Sequence, residues 1–578
     1  MLRRCAMNGG EGPHSYARNS SYQKGFVDVA KPIIEEEISR KLDIKHLSST
    51  FRIADFGCST GHNSCAAMQI ITEAIRRRFE IEGLISQLPD FYVYFNDKVT
   101  NDFNTLFNSL PRERLYGAAG VPGSFHGRLL PKAVLNFAYS SCSLNWISEV
   151  PKAVLDNTSP AWNRGKIHYE GARREVREEY ANQYSKDIES FLDSRAEELV
   201  QGGLMALLVP AVPASWDPNS AYTSTSELYL FGSCFMDMAK TKGVVDVAKP
   251  IIEEEISRKL DLKHLSSTFR IADFGCSTGH NSCAAIQIIT EAIRRRFEIE
   301  GLISQLPDFY VYFNDKVTND FNTLFNSLPR ERLYGAAGVP GSFYGRLLPK
   351  AALNFAYSSC SLNWLSEVPK AVLDTTSPAW NRGKIHYVGA RREVCEEYAN
   401  QFAKDIESFL DFRAEELVPG GLMALLVPTV PASCDPNSAY AMTTAPYLLG
   451  SCFMDMAKTG RFSEAKVDSF NIPVYFPIPQ EFKAIIERNG KYTIERIEVL
   501  DNPGKHNLTG PKDHAAHFRS VSEGMLIDHF GSEIIEELFD RYTKKLEASP
   551  LFSDPDCDKS IIMFVLLQRK LESYCSAS

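Results

Sequence analysis

A long internal repeat constrains the fold of this chain more than any other feature of its sequence. Residues 26–241 and 244–459 align without a gap at an offset of 218, and roughly nine positions in ten are identical. Solenoid repeats span about 20–50 residues, so a repeat of this length indicates a duplicated domain. We call residues 26–241 the first body and residues 244–459 the second body.

Two segments occur only once. Residues 1–25, the head, precede the first body, and residues 460–578, the tail, follow the second body. Head, one body and tail together make a plausible complete enzyme of about 360 residues. The first body therefore has a head but no adjoining tail, and the second body has a tail but no adjoining head. This division predicts an N-terminal domain over 1–241 and a C-terminal domain over 242–578.

Predicted strands and helices alternate along each body. FRIADFG (51–57) and DFYVYFND (90–97) predict strands, and the apolar spacing of NSCAAMQIITEAIRRRFE (63–80) predicts a helix. A further helix should end at Gly202-Gly203, before a buried strand, LMALLVP. Alternation of this kind predicts an α/β fold with a mostly parallel sheet. The tail adds two strand candidates, KYTIERIEVL (491–500) and SIIMFVLLQRK (560–570).

The stretch IADFGCSTGHNS (53–64), repeated at 271–282, predicts a nucleotide-binding loop. Two glycines allow a tight turn between strand and helix, and the helix start directs amide donors towards the same place. Asp97 ends the next strand, where a carboxylate can bind ribose hydroxyls. The spacing Asp-x-Gly-x-x-x-Gly differs from the dinucleotide and phosphate-loop patterns. It favours S-adenosylmethionine (SAM) over NAD or ATP.

Composition excludes several classes of partner. The net charge of −9 and the pI near 5.8 argue against nucleic acid and anionic membranes, which need a basic surface. No apolar run reaches the length of a membrane span, and the N-terminus lacks the apolar core of a secretory signal. The 13 cysteines are scattered singly, as in reduced cytosolic proteins. We therefore expect a cytoplasmic enzyme.

Several further stretches occur in a characteristic order. They are MNGGEGPHSYARNSSYQK, NDFNTLF, GVPGSFHGRLLP, SSCSLNWISEVP, AWNRGKIHY and VDSFNIPVYFP. Together with the loop they closely resemble the SABATH family of plant methyltransferases. Members transfer a methyl group from SAM to small carboxylic acids or to xanthine-type nitrogens. The resemblance implies two tandem Rossmann-like methyltransferase sheets with helical substrate-capping elements, the first sheet truncated.

The resemblance also assigns roles to residues. Cofactor contacts would come from Tyr16, Ser20, Asp55, Cys58, Asn63, Asp97, Ser124 and Phe125, and in the second body from Asp273, Cys276, Asn281, Asp315, Ser342 and Phe343. Substrate contacts would come from Gln23, Cys142, Asn145, Trp146, Cys360, Asn363 and Trp364. In some members a magnesium ion is assigned to residues that here would be Asn381, Asp468, Phe470 and Asn471.

Four departures from the family pattern bear on activity. Cys142 and Asn145, with their second-body equivalents, replace a usual Tyr and a usual His or Met beside the substrate. His62 stands where the loop usually has Pro, and Lys98 where a Leu normally packs on adenine. A lysine can extend its ammonium outward, but the apolar contact weakens.

Three functions remain open at this point. The leading one is methylation of a small plant carboxylic acid, with activity reduced because the head and the tail adjoin different bodies. No catalytic base is expected, since a carboxylate is already ionised at pH 7. The alternatives are N-methylation of a xanthine-type alkaloid and non-catalytic binding of SAM or small acids. A homodimer is an open possibility for the assembly.

Overall fold

A computed structural model describes residues 7–571 apart from the segments 210–242, 431–440, 502–509 and 550–560 and positions 43, 45–46, 165, 167, 170–171, 261 and 263–264. Within the described residues, no helix combines the length and the apolar character needed to cross a membrane.

The described helices and strands follow the predicted alternation. The helices are α1 (Tyr16–Asn19), α2 (Ser21–Lys41), α3 (His62–Ile81), α4 (Phe103–Asn108), α5 (Lys152–Leu155), α6 (Arg174–Glu198), α7 (Gly243–Lys259), α8 (His280–Ile299), α9 (Phe321–Ser327), α10 (Lys370–Leu373), α11 (Arg392–Glu416), α12 (Ala441–Lys458), α13 (Glu464–Asp468), α14 (Pro479–Asn489), α15 (Pro511–Phe530) and α16 (Ile535–Glu547). The strands are β1 (Thr50–Phe56), β2 (Asp90–Asp97), β3 (Tyr116–Pro122), β4 (Leu135–Ser141), β5 (Leu199–Leu208), β6 (Thr268–Phe274), β7 (Asp308–Asp315), β8 (Tyr334–Pro340), β9 (Leu353–Ser359), β10 (Leu417–Thr429), β11 (Tyr492–Asp501) and β12 (Ile561–Arg569).

The strands form one sheet rather than two separate sheets. Its order is β11-β12-β10-β9-β6-β7-β8-β3-β2-β1-β4-β5. Within each body the strands run parallel, as expected for strands that alternate with helices. The tail strand β12 runs antiparallel to both of its neighbours, β10 and β11. The predicted α/β fold with Rossmann-like sheets is confirmed, and the sheets of the two bodies join at their edges to form this single sheet.

The two bodies meet at a seam between β3 and β8. Gly120 and Gly338 form the single antiparallel bridge that joins these strands. Equivalent residues of the two bodies contact each other, as in a twofold dimer. The Tyr94 hydroxyl lies 3.1 Å from that of Tyr312, its counterpart 218 positions later. The first-body and second-body sheets therefore associate as a dimer does, but within one chain.

Four buried phenylalanines fill the centre of this seam. Phe103 packs edge-on against Phe325 and Phe107 against Phe321, each with ring centroids 4.8 Å apart. At the rim, Arg346 pairs with Asp90 at 2.6 Å. The aromatic centre contributes more to stability than the ion pair at the rim, because burial removes far more apolar surface of the rings from water.

We expect Phe107→Ala to lower the free energy of unfolding by about 3–5 kcal/mol through the cavity it leaves. Arg346→Ala should cost less than about 1 kcal/mol, as surface ion pairs do. Urea unfolding followed by fluorescence would measure both changes. Similar losses for the two variants would show that the seam is not held by its aromatic centre.

The helix α6 ends differently from the prediction. It stops at Glu198, and β5 begins at the next residue and continues through Gly202 and Gly203. Gly202 has a φ of 78°, and the pairing of β5 with β4 shifts register at this point. The two glycines therefore allow a β-bulge inside the strand instead of terminating the helix.

The two bodies expose the same strand face to different extents. Met205 and Leu207 on β5 are 38% and 37% exposed, whereas their equivalents Met423 and Leu425 on β10 are fully buried. In the second body this face belongs to the same apolar cluster as Phe482, Ile485 and Ile486 of the tail helix α14. In the described part of the chain β5 pairs only with β4, so it is an open sheet edge.

Candidate active sites

The first cofactor loop connects β1 to α3. Gly57 and Gly61 adopt φ values of 90° and 92°, which favour glycine. A Cβ on Gly57 would overlap the Ser143 side chain, and one on Gly61 would overlap Leu106. The loop therefore packs closely against α4 and the end of β4, and α3 begins directly after Gly61 with its free amide groups at the loop.

Two carboxylates stand beside this loop. Asp55 is buried at the end of β1, and burial raises the pKa of its carboxyl to about 7, partly opposed by the Ser64 hydroxyl. Its Oδ2 atom has no hydrogen-bond partner among the described residues. Asp97 Oδ2 accepts a hydrogen bond from the Ser59 amide at 2.7 Å, and burial also raises the pKa of Asp97. Asp97 is thus held by the loop backbone, whereas Asp55 retains an unused acceptor.

The head covers the first loop. Tyr16 and Gln23 line the same small pocket as Asp55 and Cys58. Asn63 Nδ2 donates to the Ser20 carbonyl at 3.1 Å, which ties the loop helix to the head. Burial, together with nearby Cys142, Asp97 and Asp55, raises the pKa of Tyr16 to about 12. The head residues predicted to meet the cofactor thus lie against the first body.

The pocket beneath the head is narrow and polar. Its free volume of about 20 Å³ accommodates roughly one water molecule, so the lining must open before a nucleoside can enter. Gln23 Oε1, Asp55 Oδ2, Ser59 Oγ and Tyr139 OH are buried there without hydrogen-bond partners in the described chain. Buried polar atoms are normally satisfied, so a group of unsatisfied atoms indicates a polar ligand site. Of the lining residues without an assigned role, Ser59, His62 and Ser64 lie within the predicted loop 53–64, whereas Val27, Tyr139 and Ser141 lie outside it.

A buried ion pair supports the next part of the first site. Ser124 is exposed, whereas Phe125 is buried and approaches Gly57. Arg195 donates to the Phe125 carbonyl at 2.7 Å, and Glu198 accepts from the Leu129 amide at 2.6 Å. Arg195 and Glu198 also pair with each other with no exposure to solvent. This pair was not predicted from the sequence. Its signal is an Arg and a Glu three residues apart, directly before an apolar strand.

The second loop repeats this geometry, and among the described residues no head segment lies over it. Burial raises the pKa of Asp273 to about 7, its Oδ2 is unsatisfied in the described chain, and Asp315 accepts from the Ser277 amide at 2.6 Å. Cys276 is buried, as is Phe343, while Asn281 and Ser342 are exposed. Ser277 and Thr278 are exposed, but their equivalents Ser59 and Thr60 are buried. Identical loops therefore differ because only the first carries the head.

The substrate wall of the first body is open to solvent. Cys142 has a φ of 56° and donates its amide to the Leu208 carbonyl at 2.8 Å. Asn145 is exposed, and Trp146 is 41% exposed. These residues follow the end of β4, and among the described residues no tail segment covers them.

The tail closes the equivalent wall of the second body. Trp364 bridges to Val474, and the Tyr475 amide donates to the Asn363 carbonyl at 2.9 Å. Asn363 is buried, and its Nδ2 donates to the carbonyls of Pro428 and Tyr475 at 2.9 and 2.8 Å. Its amide donors thus hold the tail in place, which leaves Oδ1 unsatisfied beside the wall. Cys360 has the same φ of 56° as Cys142.

Residues of the predicted magnesium set bond to one another and to backbone groups. Asn381 Nδ2 donates to Asn471 Oδ1 at 2.6 Å and to the His386 carbonyl at 3.0 Å, and Asp468 Oδ1 accepts from the Gly383 amide at 2.7 Å. Phe470 is buried in the apolar core of the tail. The described residues contain no group of three or more His, Cys, Asp or Glu side chains that could hold a metal. In this structure these residues form a hydrogen-bond network, and a magnesium site is not shown.

Comparisons with known proteins agree with this geometry. The sequence pattern of the family described as SAM dependent carboxyl methyltransferase matches residues 2–249 and, a second time, residues 241–570. A loganic acid O-methyltransferase from Catharanthus roseus is 39% identical over 368 residues, covering 63% of this chain and 97% of that relative. A farnesoic acid carboxyl-O-methyltransferase from Arabidopsis thaliana is 38% identical over 318 residues, covering 54% of this chain and 89% of that relative.

A solved structure of loganic acid methyltransferase with S-adenosylhomocysteine (SAH) is 41% identical to this chain. It superimposes with a TM-score of 0.55, covering 57% of this chain and 94% of that one. Because the family pattern matches residues 2–249 and again residues 241–570, the chain belongs to the SABATH family of SAM-dependent carboxyl methyltransferases.

Proposed function

We propose that this protein transfers a methyl group from SAM to the carboxylate of a small plant acid. The observation that carries the proposal is the unsatisfied carboxylate oxygen at the same place in both loops, Asp55 Oδ2 and Asp273 Oδ2. Each is a buried acceptor beside a glycine turn and a helix start, which suits a ligand with a cationic amino group. SAM has such a group.

The residues present suit methyl transfer without a catalytic base. SAM supplies an electrophilic methyl group on a sulfonium. The acid is already an ionised nucleophile near pH 7, so the protein must align it and exclude water. Alignment alone can contribute roughly 7–11 kcal/mol to lowering a barrier. Gln23 is the head residue that would hold one oxygen of the acid, and Trp146 or Trp364 would bound its apolar part.

We propose that the chain comprises an N-terminal domain, 1–241, and a C-terminal domain, 242–578, with unequal sites. The first has the head over its cofactor loop but an open substrate wall. The second has the tail over its substrate wall but an open cofactor loop. Each site thus lacks one of the two covers that exclude water, which would limit its rate.

Four further expectations belong to the proposal. The compartment would be the cytoplasm, in keeping with the free thiols at every described cysteine. A homodimer would need a surface other than the seam, since the seam is already occupied within the chain. No step of the transfer is routed through magnesium; Asn381 and Asn471, two residues that the resemblance assigns to it, bond to each other. N-methylation of alkaloids is not favoured, since the family description specifies carboxyl groups.

The test combines binding with turnover. Calorimetric titration with SAM and with SAH should show binding, and labelled SAM should transfer its methyl group to one or more acids in a panel that includes loganic and farnesoic acids. Binding without transfer to any acid would leave only the binding-protein alternative. If neither SAM nor SAH binds, the proposed function is wrong.

The two raised aspartate pKa values predict a pH dependence of SAM binding. Since the pKa values of Asp55 and Asp273 are about 7, both carboxyls are largely protonated at pH 6 in the free protein. A cationic ligand needs the ionised form, so affinity should rise up to about tenfold per pH unit between pH 6 and 7 and level off near pH 8. Titrations across this range would measure it. Asp55→Asn combined with Asp273→Asn should flatten the profile, and an unchanged profile in that variant would contradict the assignment.

A further inference from the structure

One carboxylate connects the head, the first body and the second body. Asp102 begins α4, and its Oδ1 accepts from the Thr105 amide at 3.0 Å. Its Oδ2 accepts from the Gly10 amide of the head at 2.8 Å. Gly9 lies so close that a Cβ at this position would overlap the Asp102 carboxylate. The head segment that leads to Tyr16 is thus anchored on Asp102.

The same carboxylate receives a hydrogen bond from the other body. Asn322 Nδ2 donates to Asp102 Oδ1 at 3.1 Å, and Asn322 Oδ1 accepts from the Phe103 amide at 2.9 Å. The amide of Asn322 therefore bridges the carboxylate and the first amide of α4. It therefore restrains the Asp102 carboxylate at Oδ1, while Gly10 bonds to the other oxygen, Oδ2.

The pseudo-twofold arrangement provides a built-in comparison. Asn104 of the first body makes the same two bonds to Asp320 and to the Phe321 amide, at 3.0 and 2.9 Å. Asp320 also begins its helix and bonds to Thr323. The difference is that Asp320 has no head segment bonded to it in the described chain, and it is exposed where Asp102 is half-buried. Among the described residues, the contact of Asn322 with Asp102 is therefore connected to a head segment, and the contact of Asn104 with Asp320 is not.

We infer that Asn322, in the second body, is a positioning residue for the first cofactor site, acting through Asp102 on the head. The first site is then completed across the seam, and the second body contributes to it even where its own site does not turn over. The role in cofactor binding rests on the proposed function, whereas the anchoring of the head does not. By restraining Asp102, Asn322 helps to hold the head over the first cofactor loop.

Hydrogen exchange on the full chain tests the anchoring directly. Asn322→Ala should speed exchange of the amides in residues 8–16 at least about fivefold, the effect of losing roughly one net hydrogen bond. Asn104→Ala removes the matched bonds but should leave this segment unchanged. Gly9→Ala should reproduce the effect of Asn322→Ala, because it displaces the head from Asp102 while leaving the seam intact.

Titration with SAM provides the second readout. In a chain carrying Asp273→Asn, which removes the negative charge of the second site, Asn322→Ala should weaken SAM binding severalfold and Asn104→Ala should not. If both asparagine variants loosen residues 8–16 equally, or neither does, the inference is wrong. Should SAM fail to bind the parent chain, the proposed function falls, and the exchange comparison still decides the anchoring.

Discussion

A chain in which residues 1–25 are joined directly to residues 244–578 is expected to methylate its acid substrate on the order of 100 times faster than the full chain. The junction falls inside a helix in both parent contexts, since α2 includes residues 21–41 and α7 includes residues 243–259. Its single body would carry both the head and the tail. Misplacement of a reacting group by about 1 Å can cost about 100-fold in rate, so uniting the two covers should recover about that factor.

The measurement is turnover of labelled SAM at saturating acid, compared per molecule with the full chain. A matched control has the same junction but replaces residues 1–25 with a Gly/Ser segment of equal length. The spliced chain should exceed both the control and the full chain. Turnover in the spliced chain no higher than in the full chain would contradict the view that head and tail must enclose one site.

Matched substitutions on β5 and β10 should differ strongly in their effect on the free energy of unfolding. Met205→Lys should change the free energy of unfolding by less than about 1 kcal/mol, because this side chain is already 38% exposed. It should also reduce self-association, since a lysine on an open edge strand opposes pairing with another chain. Met423→Lys should destabilise the protein by on the order of 4 kcal/mol, because Met423 is fully buried and the charge would be unpaired.

Light scattering against protein concentration would measure self-association, and urea unfolding would measure stability. Leu207→Lys and Leu425→Lys offer a second pair at 37% and 0% exposure. Equal destabilisation by the two members of a pair would mean that the β5 face is covered in solution. An unchanged tendency to associate in Met205→Lys would show that this edge is not the aggregating surface.

Local structure within each body could be predicted from the sequence because it depends on short-range patterns. The apolar alternation of 90–97 became β2, and the glycine turn at 57–61 connects β1 to α3 as expected. The tail stretches 491–500 and 560–570 became β11 and β12. Resemblance added Tyr16 and Gln23, which do lie at the first loop. The prediction from local pattern was wrong at Gly202-Gly203, because two glycines can form a β-bulge within a strand as readily as they can end a helix.

Other features follow from contacts between distant segments. No short-range pattern distinguishes Ser59 from Ser277 or Met205 from Met423, since their surroundings in the chain are nearly identical. Their burial differs because the head covers one loop, while tail strand β12 pairs beside β10 and tail helix α14 joins the apolar cluster that contains Met423. The Arg195–Glu198 pair was missed for a similar reason, as its backbone partners lie about 70 positions away.

The sequence by itself therefore determined that the chain has two methyltransferase bodies, two cofactor loops, one head and one tail. Only the tertiary structure decided that the bodies share one sheet through Gly120 and Gly338, and that Asn322 reaches across the seam to the carboxylate anchoring the head. The physical reason is that nearly identical segments have nearly identical local preferences. Their environments differ only through the segments that pack on them, which lie far away along the chain.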